Sequence, residues 1–273
     1  MSLFAPGVID NLPMDDYHAS AALSSSGIKK LLRSPAHYVV ERTQSRAPTD
    51  AMRIGTAVHT LLLEPERSGE VVQMPTFNLR TNAGKADRDA WLAEHPGAQA
   101  FALPDYERIC GAVEAVRRHP AAGMLLSEGK AETSLFWRDA ATRIECRARF
   151  DWYRPADGII ADVKTCQDAS PEGFQRAIGA FSYHVSAAHY WLGHEHLMDR
   201  SPAAWLFICV EVEPPFGVAV YALESDALRA GMDQCARAYK TFRQCVESGS
   251  WPAYPNTIEP ISAPRWALIK QGE

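Results

Sequence analysis

Three ionisable residues near the middle of the chain have the types and spacing for phosphodiester chemistry. In the stretch RIECRARFDWYRPADGIIADVKT, from Arg143 to Thr165, Asp162 and Lys164 stand two apart on an otherwise apolar run. Strict strand alternation puts Ile160, Asp162 and Lys164 on one face and Ile159, Ala161 and Val163 on the other. A carboxylate or an ammonium is costly to bury alone, so such a pair must bond internally, bind a cation or line a cleft. Asp151 ends the preceding strand, and a turn from Arg154 to Gly158 brings it to the same edge. Two carboxylates converging on a hard cation, with a lysine beside them, form a magnesium site suited to hydrolysing a phosphodiester. A D-x-K triplet by itself is most often a surface ion pair. The upstream Asp151, the closing Thr165 and the helix pattern that follows at once set this one apart.

The elements needed to hold these residues can be read on both sides. ETSLFWRDAATRIECRARFDWY is a β-hairpin turning near Asp139 to Thr142. Its second strand puts Ile144, Cys146, Ala148 and Phe150 on one face and Glu145, Arg147, Arg149 and Asp151 on the other, so Arg147 and Arg149 are candidate phosphate contacts. A solvated sheet face shows the same alternation. After Lys164 a helix starts with Ser170 as cap, Pro171 in its first position and Glu172 in its first turn, and Gly179 is expected to divide it. On the second half, Tyr183, Ser186, Ala187 and Tyr190 recur at helical spacing and face the strand edge. AAWLFICVEV and GVAVYAL are two further strands, the first central in the sheet, and residues 225–247 form a long helix capped by Ser225 and ended at Gly249.

Upstream, an irregular Pro-containing start leads to LSSSGIKKLLRSPAHYVVER, a helix capped at Ser24 or Ser25 and broken or restarted at Pro35. Lys29, Lys30 and Arg33 lie on it as candidate DNA contacts, although a solvated face explains each one singly. AMRIGTAVHTLLLEPE is a closely packed buried helix carrying His59; a lone histidine there is more often a satisfied core residue than a ligand. Residues 77–97, rich in Asn, Gly and charge before a helical run, are a mobile loop or a surface excursion, and residues 105–126 are one helix. The histidines at 184, 189, 194 and 196 have neither i, i+4 spacing nor an H-E-x-x-H motif, which argues against zinc. The Pro-rich tail carries Trp251, Tyr254 and Trp266 and is expected to pack on something.

The chain has 273 residues, 47% apolar and 22% charged, which suits one large domain: an N-terminal helical segment (1–50), a core (51–247) and the Pro-rich tail (248–273). A net charge of −5 gives no overall basic field, so nucleic-acid binding would need a local patch helped by cations. Six cysteines without a C-x-x-C pair read as reduced thiols of a cytoplasmic protein. There is no signal-peptide pattern and no run long enough to span a membrane.

The ordered blocks YHASAALSSSGIKKLL, GTAVHTLLLEPE, FNLRTNAGK, AETSLFWRD, CRARFDWY, IIADVKT and YHVSAAHY, from about Tyr17 to Tyr190, resemble the RecE-type exonuclease (exonuclease VIII) family of the PD-(D/E)XK nuclease superfamily. The resemblance implies an α/β (α+β) restriction-endonuclease-like core, a central mixed β-sheet flanked by helices. It places the family's histidine, aspartate, D-x-K and helical tyrosine on His59, Asp151, Asp162 with Lys164, and Tyr190. His59, Asp151, Asp162 and the Val163 carbonyl would hold Mg²⁺, with Mn²⁺ as a substitute; Tyr190 would position substrate, and Glu132 is an additional acidic candidate. Where the family has a glutamine one turn before that tyrosine, this chain has Ser186. The implied activity is 5′ to 3′ degradation of linear double-stranded DNA by a ring-shaped homo-oligomer, leaving 3′ single strands for an annealing partner. A metal-dependent endonuclease, or a non-catalytic DNA-binding or assembly module, are the other readings.

Overall fold

The two charged strands lie in the middle of a six-stranded mixed sheet. The computed structural model describes residues 4–44 and 47–263. The start of the chain, expected to be irregular, holds strand β1 (Gly7–Ile9) and helix α1 (Met14–Ala19). Helix α2 (Ser25–Arg33) is capped by Ser24, whose hydroxyl accepts the Gly27 amide, and α3 (Pro35–Thr43) restarts the chain at Ser34, whose hydroxyl accepts the His37 amide. Helix α4 (Asp50–Leu63) is capped by Thr49 and buries Ile54, Ala57, Val58 and Leu63. Then come a 3₁₀ turn (Pro65–Glu70), β2 (Val71–Gln73), α5 (Asn82–Glu94) and β3 (Gln99–Phe101), so the helical run, capped by Thr81, takes up most of residues 77–97.

The single helix expected over 105–126 is two, α6 (Leu103–Arg118) and α7 (Pro120–Leu126). Pro120 lacks an amide and pushes the preceding residue out of the helical region, and His119 instead caps α7 by accepting the Ala122 amide. The hairpin is β4 (Lys130–Arg138) and β5 (Glu145–Arg154), followed by β6 (Ile159–Cys166). Helices α8 (Pro171–Phe181) and α9 (Tyr183–Met198) part at Ser182, three residues beyond Gly179, where the backbone turns left-handed at φ 52°. Strands β7 (Ala204–Glu211) and β8 (Val218–Ala222) precede α10 (Ser225–Ser248), which has Glu224 rather than Ser225 at its cap position and ends at a left-handed Gly249.

The sheet order is β1-β4-β5-β6-β7-β8, with β6 and β7 parallel and the other neighbours antiparallel. One face carries a core built with α2, α9 and α10, through residues such as Ile28, Val185 and Cys235. The other carries a core with α4 and α6, through Val58, Ile109 and Val113. Ile160 faces the first and Ala161 and Val163 the second, which is the alternation read from the sequence. In the tail, Trp251 stacks on Tyr38 at 5.6 Å and Tyr254 meets His37 at 6.0 Å, whereas Trp266 lies outside the described residues. Among the described residues no helix is long and apolar enough to cross a membrane.

One irregularity in the sheet creates the space for a site. The β4–β5 register runs through Ala131↔Trp152 and Thr133↔Phe150 but skips Glu132 opposite Asp151, and Glu132 has a left-handed backbone at φ 49°. Leu135, Trp137, Ala148 and Phe150 face the first core, but Ala131 and Trp152 pack in the second and Tyr153 returns to the first. The alternation therefore slips by one residue at the Glu132–Asp151 pair. Strand β6 pairs with β5 only from Trp152↔Ala161 to Arg154↔Ile159, then separates from it while keeping its whole length on β7.

Candidate active site

The Asp151 carboxylate stands where β5 and β6 diverge. Its Oδ2 accepts the Val163 amide at 2.9 Å, so a side chain takes the place of the ladder partner that β5 no longer supplies. The Val163 carbonyl faces His59 from α4, with Nε2 at 2.9 Å, and the other nitrogen of that ring, Nδ1, is 3.7 Å from Asp151 Oδ2. Close packing holds α4 there: a Cβ on Gly55 would lie 3.2 Å from Thr165 Oγ1 on β6. His59, Glu132 and Asp151 present ligand atoms that all lie within 4.8 Å of one another. A histidine nitrogen, two carboxylates and a nearby carbonyl suit a divalent cation that prefers oxygen.

Lys164 shares this cavity and Asp162 lies beneath it. Lys164 Nζ is 2.5 Å from Asp162 Oδ2, 3.3 Å from the Val163 carbonyl and 4.0 Å from Asp151 Oδ2. Asp162 is 8% exposed, and its burial raises its pKa to about 6, against the pull of Lys164 and with a further push from Asp151. Burial works against the Lys164 ammonium too, but the Asp162 and Asp151 carboxylates outweigh it and hold Lys164 above the usual lysine range. Glu132 is pushed up to about 8 by burial and by the Asp151 carboxylate. It is thus mostly protonated at neutral pH in the metal-free protein.

The cavity holding His59, Glu132, Asp151, Val163, Lys164 and Tyr190 measures about 750 Å³. The Tyr190 hydroxyl lies 3.5 Å from Ser25 Oγ, and burial raises its pKa above the usual phenol range, so it is a neutral hydrogen-bonding group. Lys29 of α2 is not itself on the cavity wall, but its Nζ is 5.6 Å from the centre of the Tyr183 ring, which is, and Lys164 Nζ is 5.4 Å from the same centre. Burial and the Lys164 ammonium lower the pKa of Lys29 to about 8.

Of the other basic candidates, Arg149 also lines this cavity, and the rest do not. Lys30 and Arg33 pair with Glu41 at 3.5 and 3.9 Å and do not line this cavity. Arg147 donates to the Tyr17 carbonyl and lines a separate cavity with His18 and Arg42. Arg149 is buried; it donates to Ser134 Oγ and the Leu12 carbonyl and lies 3.7 Å from Glu132, so its guanidinium ties the N-terminal segment and Glu132 to the sheet. Ser186 is half-buried and lies off the cavity wall. His189 and His194 are core residues, bonded to Tyr239 and the Arg147 carbonyl and to Tyr153 and the Arg200 carbonyl. Helical spacing put Tyr183 with Tyr190 on the face toward the strand edge but assigned it no chemistry; its ring lies beneath both ammonium groups.

Helices packed on both faces of a mixed sheet, with an Asp and a D-x-K meeting where two central strands part, are the core of the PD-(D/E)XK class. A family described as "PDDEXK-like domain of unknown function (DUF3799)" matches residues 24–264, and the chain belongs to it. No curated protein matches the chain. Among solved structures, a candidate exonuclease from Eubacterium rectale superposes with a TM-score of 0.61 at 10% identity, over 96% of this chain and 99% of that one. A phage-related exonuclease from Haemophilus somnus 129PT gives a TM-score of 0.37 at 12% identity, over 84% and 96%. At such identities the first likeness speaks for the fold.

Proposed function

We propose that this chain is a divalent-metal-dependent deoxyribonuclease, a 5′ to 3′ exonuclease that resects linear duplex DNA to 3′ single strands. The observation that carries the nuclease reading is the meeting of His59, Glu132, Asp151 and the Val163 carbonyl with Lys164 in one cavity. The exonuclease reading is supported by the RecE-type sequence blocks and by the name of the Eubacterium rectale structure. A ring-shaped homo-oligomer, an annealing partner and a cytoplasmic setting belong to that reading.

Hydrolysis joins a water oxygen to phosphorus, breaks the bond to the leaving oxygen, and needs the water's proton removed and the leaving oxygen's charge met. His59, Glu132, Asp151, Asp162 and the Val163 carbonyl are the groups that would hold Mg²⁺, or Mn²⁺ in its place. When bound, the cation makes water more acidic and neutralises phosphoryl charge. Lys164, fixed by Asp162, directs its ammonium into the cavity to meet charge developing at phosphorus. Tyr190 donates a hydrogen bond to position the strand. Lys29 is the basic candidate left unengaged to receive a phosphate: it makes no ion pair or hydrogen bond among the described residues, whereas Lys30 and Arg33 already share Glu41 and Arg149 is held by Ser134, Leu12 and Glu132.

Incubation of the purified protein with Mg²⁺ or Mn²⁺ and either linear duplex or closed circular DNA tests the reading. Loss of the linear form only, quickest from 5′-phosphorylated ends, is expected. Cutting of the circle would make the enzyme an endonuclease, and no cutting of either with both metals would leave a non-catalytic DNA-binding module.

A further inference from the structure

A second cavity of about 780 Å³ adjoins the first and shares Ala51, Thr165, Phe181 and Tyr183 with it. Phe181 stands on the shared wall. It is the last residue of α8, and the left-handed Ser182 after it turns the chain into α9, leaving the ring 59% exposed. An exposed phenylalanine alone calls for no explanation. This one stacks on Tyr183 with centres 5.5 Å apart and planes at 26°. The Tyr183 ring is also the one approached by the ammonium groups of Lys29 and Lys164. Behind it the stack continues through Phe174, 6.0 Å from Tyr183, to Tyr221, 5.5 Å from Phe174, so the platform is held from below.

A flat apolar face beside two ammonium groups matches a ligand with an anion and a π-face a short distance apart, and a nucleotide is that ligand. We propose that Phe181 is a stacking platform for a base of the DNA strand whose phosphate is received by Lys29 and Lys164, and that the second cavity takes the nucleotide next to the scissile phosphate. This rests on the nuclease reading above. The basic residues of the second cavity are already neutralised, Arg108 by Asp105 and Glu213 and Arg176 by Asp168. Its hold on a nucleotide therefore comes from the ring, and stacking on a ring accepts every base. A cleaved nucleotide meets no unpaired cation there to delay its release.

The test uses the full chain and linear duplexes carrying 2-aminopurine at each of the three terminal positions of either strand. In an Asp162→Asn background, which binds without cutting, stacking on Phe181 alters the fluorescence of the probe at one terminal position. Phe181→Ala abolishes that change and Phe181→Trp keeps it. In the cleaving enzyme Phe181→Ala lowers kcat/KM about tenfold, mainly through KM, and Phe181→Trp recovers most of it. Phe181 is exposed, so both variants should melt at the temperature of the parent. If Phe181→Ala cleaves with unchanged KM and leaves the probe signal intact, the stacking inference is wrong while the nuclease reading stands. A parent protein that cuts no DNA with either metal overturns the nuclease reading, and this inference with it.

Discussion

The Asp151 carboxylate accepts the Val163 backbone amide at 2.9 Å, closing the gap where β5 and β6 stop pairing. One side chain thus both shapes the sheet and supplies charge to the site, and two substitutions separate these roles. Asn at this position keeps an oxygen to accept from Val163 but carries no charge. Asp151→Asn is expected to fold with nearly unchanged stability while cleavage falls at least about a hundredfold. Asp151→Ala also leaves the Val163 amide without its partner, at a further cost of about 1–3 kcal/mol. Urea denaturation and cleavage rates on the same preparations check both statements.

Glu132 should release a proton when a metal binds. Burial and Asp151 hold its pKa near 8 in the metal-free protein, so at pH 7 most molecules carry a proton that a bound cation must displace. Metal affinity then rises with pH up to about 8. In the metal-free protein the sign is opposite. A carboxyl with a raised folded pKa contributes stability present below its ordinary value of 4.5 and lost as the pH climbs through about 8. Titration calorimetry with Mg²⁺ in buffers of different ionisation enthalpy reads the proton directly. Glu132→Gln is expected to abolish most of the release, and an unchanged release would point to another group.

How much of this was legible follows from what each signal measures. Strand alternation placed Asp162 and Lys164 on one face because β6 keeps its pairing with β7 along its whole length, but it could not show the one-residue slip that interrupts β5 at Asp151. Nor did it show that α1, in a stretch read as irregular, would cover part of that strand's face and engage Arg147 and Arg149 through Tyr17, whose ring lies 4.7 and 4.4 Å from the two guanidinium carbons. Lys29 and Lys30 are neighbours in sequence but point about 100° apart on a helix, so one reaches Tyr183 and the other Glu41. The contact of His59 with the Val163 carbonyl joins residues 104 apart in the chain; no local pattern carries such a pairing, and only the resemblance pointed to it.

Lys29 makes DNA affinity sensitive to mildly alkaline pH. Its pKa is lowered to about 8 by burial and by Lys164, so its charge is lost as the pH passes that value. Between pH 7 and 9 the Asp162→Asn protein should bind linear duplex progressively more weakly as this phosphate contact fades. Lys29→Arg keeps its charge and should flatten the profile, and Lys29→Met should reduce the slope of log affinity against log salt by about 0.9. Fluorescence anisotropy across pH and salt measures all three, and a Lys29→Met slope equal to that of the parent would remove Lys29 from the contact.

The buried Asp162–Lys164 pair should cost more to break than to replace. Lys164→Met strands an ionised Asp162 that is 8% exposed, and losing one partner of such a pair typically costs about 3–5 kcal/mol. The penalty depends on pH because burial already raises Asp162 to about 6 with Lys164 pulling it down, and losing Lys164 raises it further: at low pH the stranded group takes up a proton and becomes a neutral acid, so the loss is smaller at pH 5 than at pH 8. Removing both charges, in Asp162→Asn with Lys164→Met, leaves no buried ion and should recover most of the stability. Cleavage should stay absent in every one of these variants, since each lacks a group of the site. Denaturant midpoints at the two pH values, alongside cleavage assays, distinguish a pair kept for chemistry from one kept for the fold: the double variant must be stable and inactive for the first account to hold.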